Sequence, residues 1–392
     1  MKFQFILFLT LFIGVLALLI LSLWFSTNTF FHITSAKAKT ILLLVLFFLT
    51  FLMPFSMVLE RFRANFFARG IYFLSTAWIG FFIHLIIAVI AVWLVLIIAK
   101  FFSFQIDIKI VATIFFSFSI ICAIYGLLNA RNVRVTNVEV PMSNLASQWE
   151  GKKIIQLSDL HLGAIYGKGF LEQVASKVNA ENPEVIFITG DLFDGTDGNI
   201  DTMADSLNKF KSKYGVYFIT GNHETYLGLE KALNVLKQTN IKVLNDEVID
   251  INGLQVIGIG YPAFGTSKNI RDIIKPNDNY FAEKPTILLH HAPTSIDFNG
   301  DSSHTSAYWK PDLDFSYAKE IGINLQLSGH GHAGQFFPFT CIAHSIYKGY
   351  DYGLHTDGDF SIFTTSGTGT WGPPMRTGSD SEIVVIKLVS KS

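Results

Sequence analysis

Residues 323–335, INLQLSGHGHAGQ, run from a short apolar, strand-like segment into two histidines separated by one glycine. On a strand, period-2 alternation would turn His330 and His332 to the same face, and the glycines around them leave room for backbone and ligand to approach closely. Such a pair can grip a ligand, or in isolation one ring can simply be packed. The choice depends on whether other strand ends carry the rest of a coordination sphere.

From about Arg131 onward, short β-rich runs alternate with polar helical stretches. RVTNVEV, KKIIQLS, EVIFITG, GVYFITG, KVLND, EVIDING, LQVIGIG, TILLHH, INLQLSG, FSIFTTSG and EIVVIKLV read as strands, with helices near residues 168–179, 202–212 and 229–238. Alternating β and α units beside neighbouring hairpins predict an α/β domain of two sheets packed face to face with helices outside, rather than one parallel sheet. Donor residues stand behind five of these strands. Asp159 and His161 follow IIQLS, Asp191 follows VIFIT, Asn222, His223 and Glu224 follow VYFIT, His290 and His291 follow TILL, and His330 and His332 follow NLQLS. Loops at the C-terminal ends of strands are where sites assemble in layered α/β folds.

Carboxylates and histidine nitrogens together suit two borderline divalent ions, Mn²⁺ first, with Fe²⁺ or Zn²⁺ as alternatives; magnesium would want mostly oxygen donors. Two such metals roughly 3.5–4 Å apart can activate a water and stabilise both oxygens of a phosphoryl displacement. His330 and His332 are then candidates for donating one ligand to each metal.

The series SDLHLG, GDLFDG, GNHETY, LLHHAP and SGHGHAGQ resembles the calcineurin-like metallophosphoesterase superfamily, over essentially Arg131 to the C-terminus. The segment GTWGPPMRTGSDSEIVVIKL is similar to the branch that attaches this domain to membrane helices or an export signal. The resemblance implies a four-layer α/β/β/α sandwich over residues 131–392. It implies that Asp159, His161, Asp191 and His332 bind a first metal and that Asp191, Asn222, His291 and His330 bind a second, with Asp191 bridging. His291 is preferred to His290 because the motif places its histidine two residues before a proline, here Pro293; His290 then sits beside the site or packs into the sandwich. His223 resembles the family's non-ligand histidine, which hydrogen-bonds the phosphoryl group or protonates the leaving oxygen. Asp194 and Glu224 are candidates for orienting ligands from behind, with solvated or capping roles as the alternative. Arg376, in PPMR, is a candidate for contacting substrate phosphate, or else forms a surface salt bridge. The implied reaction is direct hydrolysis by metal-activated water, without a covalent phosphoenzyme.

The front of the chain has a different texture. The 392 residues carry a net charge of -1 and include 37 phenylalanines, and the mean hydropathy of +0.39 is too high for one soluble domain. Residues of about 3–25, 40–59, 70–98 and 110–129 are each long enough to cross a bilayer, which takes about 20 apolar residues. Residues 1–130 therefore read as a four-helix transmembrane region. The first segment is read as a retained helix rather than a signal peptide, because its apolar stretch exceeds the usual length and no small-residue cleavage site stands out. Four spans put the N-terminus and the C-terminal domain on one side, with Lys2, Arg61, Arg63, Arg69, Arg131 and Arg134 against Lys37, Lys39, Lys100 and Lys109 on the other. That excess favours a cytoplasmic domain. Cys122 and Cys341 are not expected to pair. His84, the histidine inside a span, is expected to hydrogen-bond a neighbouring helix, and the spans are read as free of acidic residues.

Helices that hold a site at the bilayer restrict it to what diffuses there. The expectation is a membrane-bound, dinuclear metal-dependent phosphohydrolase acting on a lipid-linked phosphoester or pyrophosphate such as UDP-2,3-diacylglucosamine. The alternatives are a phosphodiesterase or phosphatase of soluble substrates, and a non-catalytic membrane sensor on the same fold. Two further stretches bear on substrate: TSIDFNGDSSHTSAYWKPDLDFSYAKEIGI, with His304, Tyr308 and Trp309, and FFPFTCIAHSIYKGYDYGLH, aromatic where a loop is expected. Both could form a lid over an acyl chain or pack as ordinary structure. No nucleic-acid partner is expected, and the helices could pair into a dimer or merely anchor the domain.

Overall fold

The computed structural model describes residues 2–63, 65–195, 200–262, 268–274, 280–295 and 310–391. Two compact units result: Met1–Leu127 with Pro373–Met375, and Leu128–Gly372 with Arg376–Ser392.

The first unit is built from α1 (Lys2–Phe30), α2 (Ala36–Phe62), α3 (Phe66–Phe101) and α4 (Ile108–Arg131). All four are long and apolar enough to cross a membrane. The shortest has 24 residues, which at 1.5 Å per residue is about 36 Å, longer than a hydrocarbon core of about 30 Å. Helices overrun the apolar windows because caps end them, not hydropathy: Ser35 Oγ accepts from Ala38 N at the start of α2, and Asn65 Oδ1 from Ala68 N at the start of α3. Ile20, Leu23, Phe30, Leu46, Phe82, Leu85, Val89 and Val92 form the core of this unit. Polar side chains among them are paired, as an environment without water requires. Trp93 Nε1 donates to Ser26 Oγ at 2.9 Å, Trp78 Nε1 donates to Thr50 Oγ1 at 3.1 Å, and Ser56 and Ser75 share a bond of 2.7 Å.

His84 Nδ1 lies 2.7 Å from Gly80 O of its own helix, and the His84 carbonyl accepts from Ser119 Oγ of α4 at 3.0 Å. One expectation changes here. Glu60 lies inside α2, buried, with a carboxylate oxygen 4.0 Å from Arg69 Nε. An acidic residue therefore belongs to the helical unit after all.

The second unit contains two six-stranded sheets. One has the order β1 (Arg134–Met142), β12 (Glu382–Ser390), β2 (Lys153–Leu157), β3 (Val185–Thr189), β4 (Val216–Ile219), β5 (Ile241–Val243). The other runs β10 (Gly353–Asp357), β11 (Phe360–Thr364), β9 (Leu325–Ser328), β8 (Thr286–Leu289), β7 (Leu254–Gly258), β6 (Glu247–Ile251). Strands β2, β3, β4 and β5 are mutually parallel, as are β7, β8, β9 and β11. Because side chains alternate along a strand, each sheet has two apolar faces to cover. Ile154, Phe187, Ile219, Val256, Ile287, Leu289, Leu327 and Ile386 meet between the sheets. Ile155, Leu157, Ile186 and Ile188 pack outward against Leu171, Val174 and Val178 of α5 (Lys168–Ala180). On the other outer face, Ile257, Leu288 and Ile362 pack against Phe315, Ala318 and Ile323. The result is the four-layer α/β/β/α sandwich.

The helix expected at 202–212 is only one turn, Ala204–Leu207, after a 3-10 segment at Ile200–Met203. A helix at Phe339–Ile346 and strand β10 stand where a loop was expected. Strand β10 had a signal in the two-residue loop Gly358-Asp359, whose glycine at φ +67° turns the chain into β11. Phe187 is fully buried between the sheets, so Phe187→Ala should lower the unfolding free energy by about 3–5 kcal/mol; denaturant titration of the purified chain in detergent would measure it, and a loss below about 1 kcal/mol would contradict this packing.

Candidate metal centre

The parallel strands β2, β3 and β4 of one sheet and β8 and β9 of the other all release their chains toward the same loops. Beyond β2 the backbone keeps pairing with the segment beyond β3: Asp159 N donates to Gly190 O and His161 N donates to Asp191 O, both at 3.1 Å. The donor residues themselves sit in left-handed backbone, with φ of +53° at Asp159, +47° at His161, +51° at Asp191, +74° at His330 and +49° at His332. Each of these conformations costs a residue with a Cβ free energy, so the surrounding contacts must hold them.

Three groups of donors result among the described residues, one of them His161 with Asp194 and His223, and the other two contain the expected ligands. In the first of these two, His161 Nε2 and His332 Nε2 lie 3.0 Å apart, and Asp159 Oδ1 lies 3.4 Å from His332 Nε2 and 4.0 Å from His161 Nε2. In the second, His291 Nε2 lies 3.2 Å from Asp191 Oδ2, 3.1 Å from Asn222 Oδ1 and 3.2 Å from His330 Nδ1. Both sets are buried and close enough to share a cation. The expected H-x-H geometry is corrected: His330 and His332 lie beyond β9 rather than on it, and their positive φ values, not strand alternation, send one ring to each group.

Backbone atoms aim these rings. His291 Nδ1 bonds Thr189 O at 2.7 Å, which leaves Nε2 facing Asp191 and Asn222. His223 Nδ1 bonds Asp194 O at 2.7 Å, and its ring stands edge-on to His161 with centroids 4.5 Å apart. Asp159 accepts from His330 N through both oxygens, and Asp191 Oδ1 accepts from His223 N at 2.9 Å. Glu224, fully buried, accepts from Asp191 N at 3.1 Å, Phe193 N at 3.0 Å and Gly221 N at 2.7 Å. Two glycines make the close packing possible. A Cβ on Gly190 (φ +96°) would lie 2.4 Å from His291 Nδ1, and one on Gly221 would lie 2.2 Å from Asp191 Oδ1.

The electrostatics suit cations. Burial and the charge of His223 hold His161 well below the ordinary imidazole range, burial and His161 do the same to His332, and burial with His291 lowers His330 to about 3. These rings are neutral, with lone pairs to give. Burial alone would raise Asp191, yet the charges of His291 and His223 outweigh it and hold it well below the usual carboxylate range. The reciprocal effect overcomes the burial of His291 and raises it to about 9. Burial and the charge of Asp191 push Glu224 up to about 7, against the bonds from Phe193 and Gly221. The neutral His161 and His332 nitrogens that face one another at 3.0 Å share at most one proton, and His161 Nδ1 is buried without a hydrogen bond, 3.8 Å from Asp194 Oδ1. A nitrogen- and carboxylate-rich donor set of this kind fits two divalent cations.

Arg376 forms no surface salt bridge: it is fully buried, and its guanidinium donates to Ser366 O at 2.6 Å, Gly369 O at 2.7 Å and Ser379 Oγ at 2.7 Å. Its Nη2 lies 3.2 Å from His332 Nδ1, so it acts as a buried brace behind that ring. His290 Nε2 lies 3.3 Å from Thr294 Oγ1, and burial lowers it to about 3. Tyr226 and Trp371, which the sequence did not single out, place rings 5.2 and 6.4 Å from that of His223. Their aromatic character was visible; their proximity was not. His304, Tyr308 and Trp309 lie outside the described residues.

Residues 152–334 match the family model described as calcineurin-like phosphoesterase. The chain is 32% identical over 278 residues to an uncharacterized metallophosphoesterase of Campylobacter jejuni, covering 70% of this chain and 67% of that one. It is also 32% identical over 286 residues to a Danio rerio protein called transmembrane protein with metallophosphoesterase domain, covering 68% and 60%. An Aquifex aeolicus metallophosphoesterase, 29% identical, is covered over 98% of its length. The chain thus spans about 60% of the length of some relatives and nearly all of another.

Replacing Glu224 by Gln would turn an amide N–H toward backbone donors and leave one of them unmet. The Glu224→Gln variant should bind Mn²⁺ about 10–100-fold more weakly while keeping its secondary structure; metal titration beside circular dichroism checks this, and unchanged affinity would refute the role given to Glu224.

Proposed function

The chain belongs to the calcineurin-like metallophosphoesterase family, and from that premise we propose that it hydrolyses a lipid-linked phosphoester or pyrophosphate at the membrane surface, with two Mn²⁺ ions and a cytoplasmic catalytic domain. The family makes it a metal-dependent phosphoester hydrolase; the substrate, the metal and the side are our reading. One observation carries the lipid-linked part. Helix α4 ends at Arg131 and strand β1 begins at Arg134, so two residues join a domain bearing both donor groups to a helix able to cross a bilayer. A site tethered so closely meets membrane-embedded phosphates at high effective concentration. The excess of Lys2, Arg61, Arg63, Arg69, Arg131 and Arg134 supports the cytoplasmic side. UDP-2,3-diacylglucosamine is one member of the substrate class to try.

In this reading Asp159, His161, Asp191 and His332 hold one ion, and Asp191, Asn222, His291 and His330 hold the other. Bound there, divalent cations supply Lewis-acid polarisation of phosphoryl oxygens and acidify water. The protein supplies alignment and a proton. Because a carbonyl cannot donate, the bond from His223 to Asp194 O fixes a proton on Nδ1. His223 therefore protonates a leaving oxygen through Nε2, and only as an imidazolium. Asp194 contributes through its backbone oxygen, Glu224 by holding the Asp191 and Gly221 loops, and Arg376 by bracing His332.

Turnover of UDP-2,3-diacylglucosamine in mixed micelles, with Mn²⁺ or with chelator, tests the reading beside a water-soluble phosphodiester. Mn²⁺-dependent turnover that favours the lipid is expected; activity confined to the soluble ester, with other lipid-linked phosphates also refused, would overturn the substrate class. Asp191→Ala should lose at least about a thousandfold in kcat/KM while remaining folded. Near-normal rates in that folded variant would remove Asp191 from the mechanism.

A further inference from the structure

The helix Phe339–Ile346 has no buried residue, yet one stripe of it is apolar, with Phe339, Ile342, Ala343 and Ile346 recurring at helical spacing. Phe339 is 42% exposed and Ile342 is 48% exposed; Phe337 and Trp371 are 58% and 59% exposed. Trp371 is clipped to the start of this region, since its N–H donates to Gln335 Oε1 and its carbonyl accepts from Gln335 Nε2, both at 3.0 Å. Apolar residues gathered in this way beside a site mark a partner, whereas scattered single ones do not.

The hydrogen bonds of the second unit indicate which partner. Asn129 Nδ2, in the last turns of α4, donates to Arg376 O at 3.2 Å and Ser379 O at 3.1 Å, and Ser381 Oγ donates to Ala130 O at 2.9 Å. The same loop runs on to the exposed helix: Thr377 N and Gly378 N both donate to Gln335 O at 3.1 Å, and a Cβ on Gly378 would lie 2.4 Å from Thr340 Cγ2. The end of a membrane-crossing helix is thus bonded, through one loop, to the apolar helix and to Trp371. Trp371 in turn stands beside His223.

We propose that Phe337, Phe339, Ile342, Ile346 and Trp371 form an interfacial surface, seated at the boundary between lipid headgroups and acyl chains beside the metal centre. An amphipathic segment with Phe and Trp on its apolar side gains by burying that side at this depth. Its consequence rests on the lipid-linked reading above: a phosphate at headgroup level reaches His223 while its acyl chains stay in the bilayer.

The full chain, carrying Cys122→Ala, Cys341→Ser and Ile342→Cys, is labelled at position 342 with an environment-sensitive fluorophore and reconstituted into phosphatidylcholine vesicles. Blue-shifted emission, quenched by brominated acyl chains and shielded from iodide, is expected. Full iodide access without bromolipid quenching would overturn the proposal. Shielding without bromolipid quenching, with crosslinks between copies at position 342, would assign the face to a second copy and also overturn it. A Phe339→Glu/Ile342→Glu variant should raise the KM for a vesicle-borne lipid phosphate about tenfold, while a soluble phosphodiester reports the integrity of the metal centre. Bromolipid quenching with turnover of soluble esters alone supports the surface and refutes the lipid-substrate reading.

Discussion

Three backbone N–H groups, from Asp191, Phe193 and Gly221, converge on the buried carboxylate of Glu224. The rest of the centre depends on this knot. It ties the loop after β3 to the loop after β4, the two segments that carry Asp191, Asn222 and His223. Asp191 is gripped again by the N–H of His223, so the carboxylate of the second donor group is held in place. A buried carboxylate is costly unless its lone pairs are met, and here backbone donors and nearby histidines meet them.

Around that knot the chain accepts local strain to bring chemically incompatible groups together. The neutral imidazoles of His161 and His332 face each other at hydrogen-bond distance, and five donor residues occupy left-handed backbone. Glycines stand just before Asp191 and Asn222 because any Cβ there would collide with a ligand side chain. The sandwich makes such strain affordable: two sheets locked by interdigitated isoleucines, leucines and phenylalanine leave the loops little freedom to relax. Function is placed where local preference and global packing disagree.

Within the catalytic unit, one loop touches both the donor side chains and the last turn of α4. The loop of Gly369 to Ser381 braces His332 through Arg376, bonds the end of α4, and supports the exposed apolar helix. One segment therefore couples ligand orientation, tethering and the apolar rim.

The sequence by itself determined which atoms could bind metal, because only a few side chains carry suitable lone pairs, and it placed them behind strands whose apolar runs are readable by period. It likewise showed four long apolar segments and two sheets' worth of strands. It did not reveal what aims the donors: Thr189 O and Asp194 O are carbonyls that every residue possesses, so no residue type advertises them. Arg376 could be read as a phosphate contact because its identity is compatible with one, and only burial among carbonyl oxygens made it a brace. The H-x-H pair was recognisable as a grip, but tertiary structure decided that its rings part, since left-handed φ values at both histidines are stable only when the packed loops around them impose the turn.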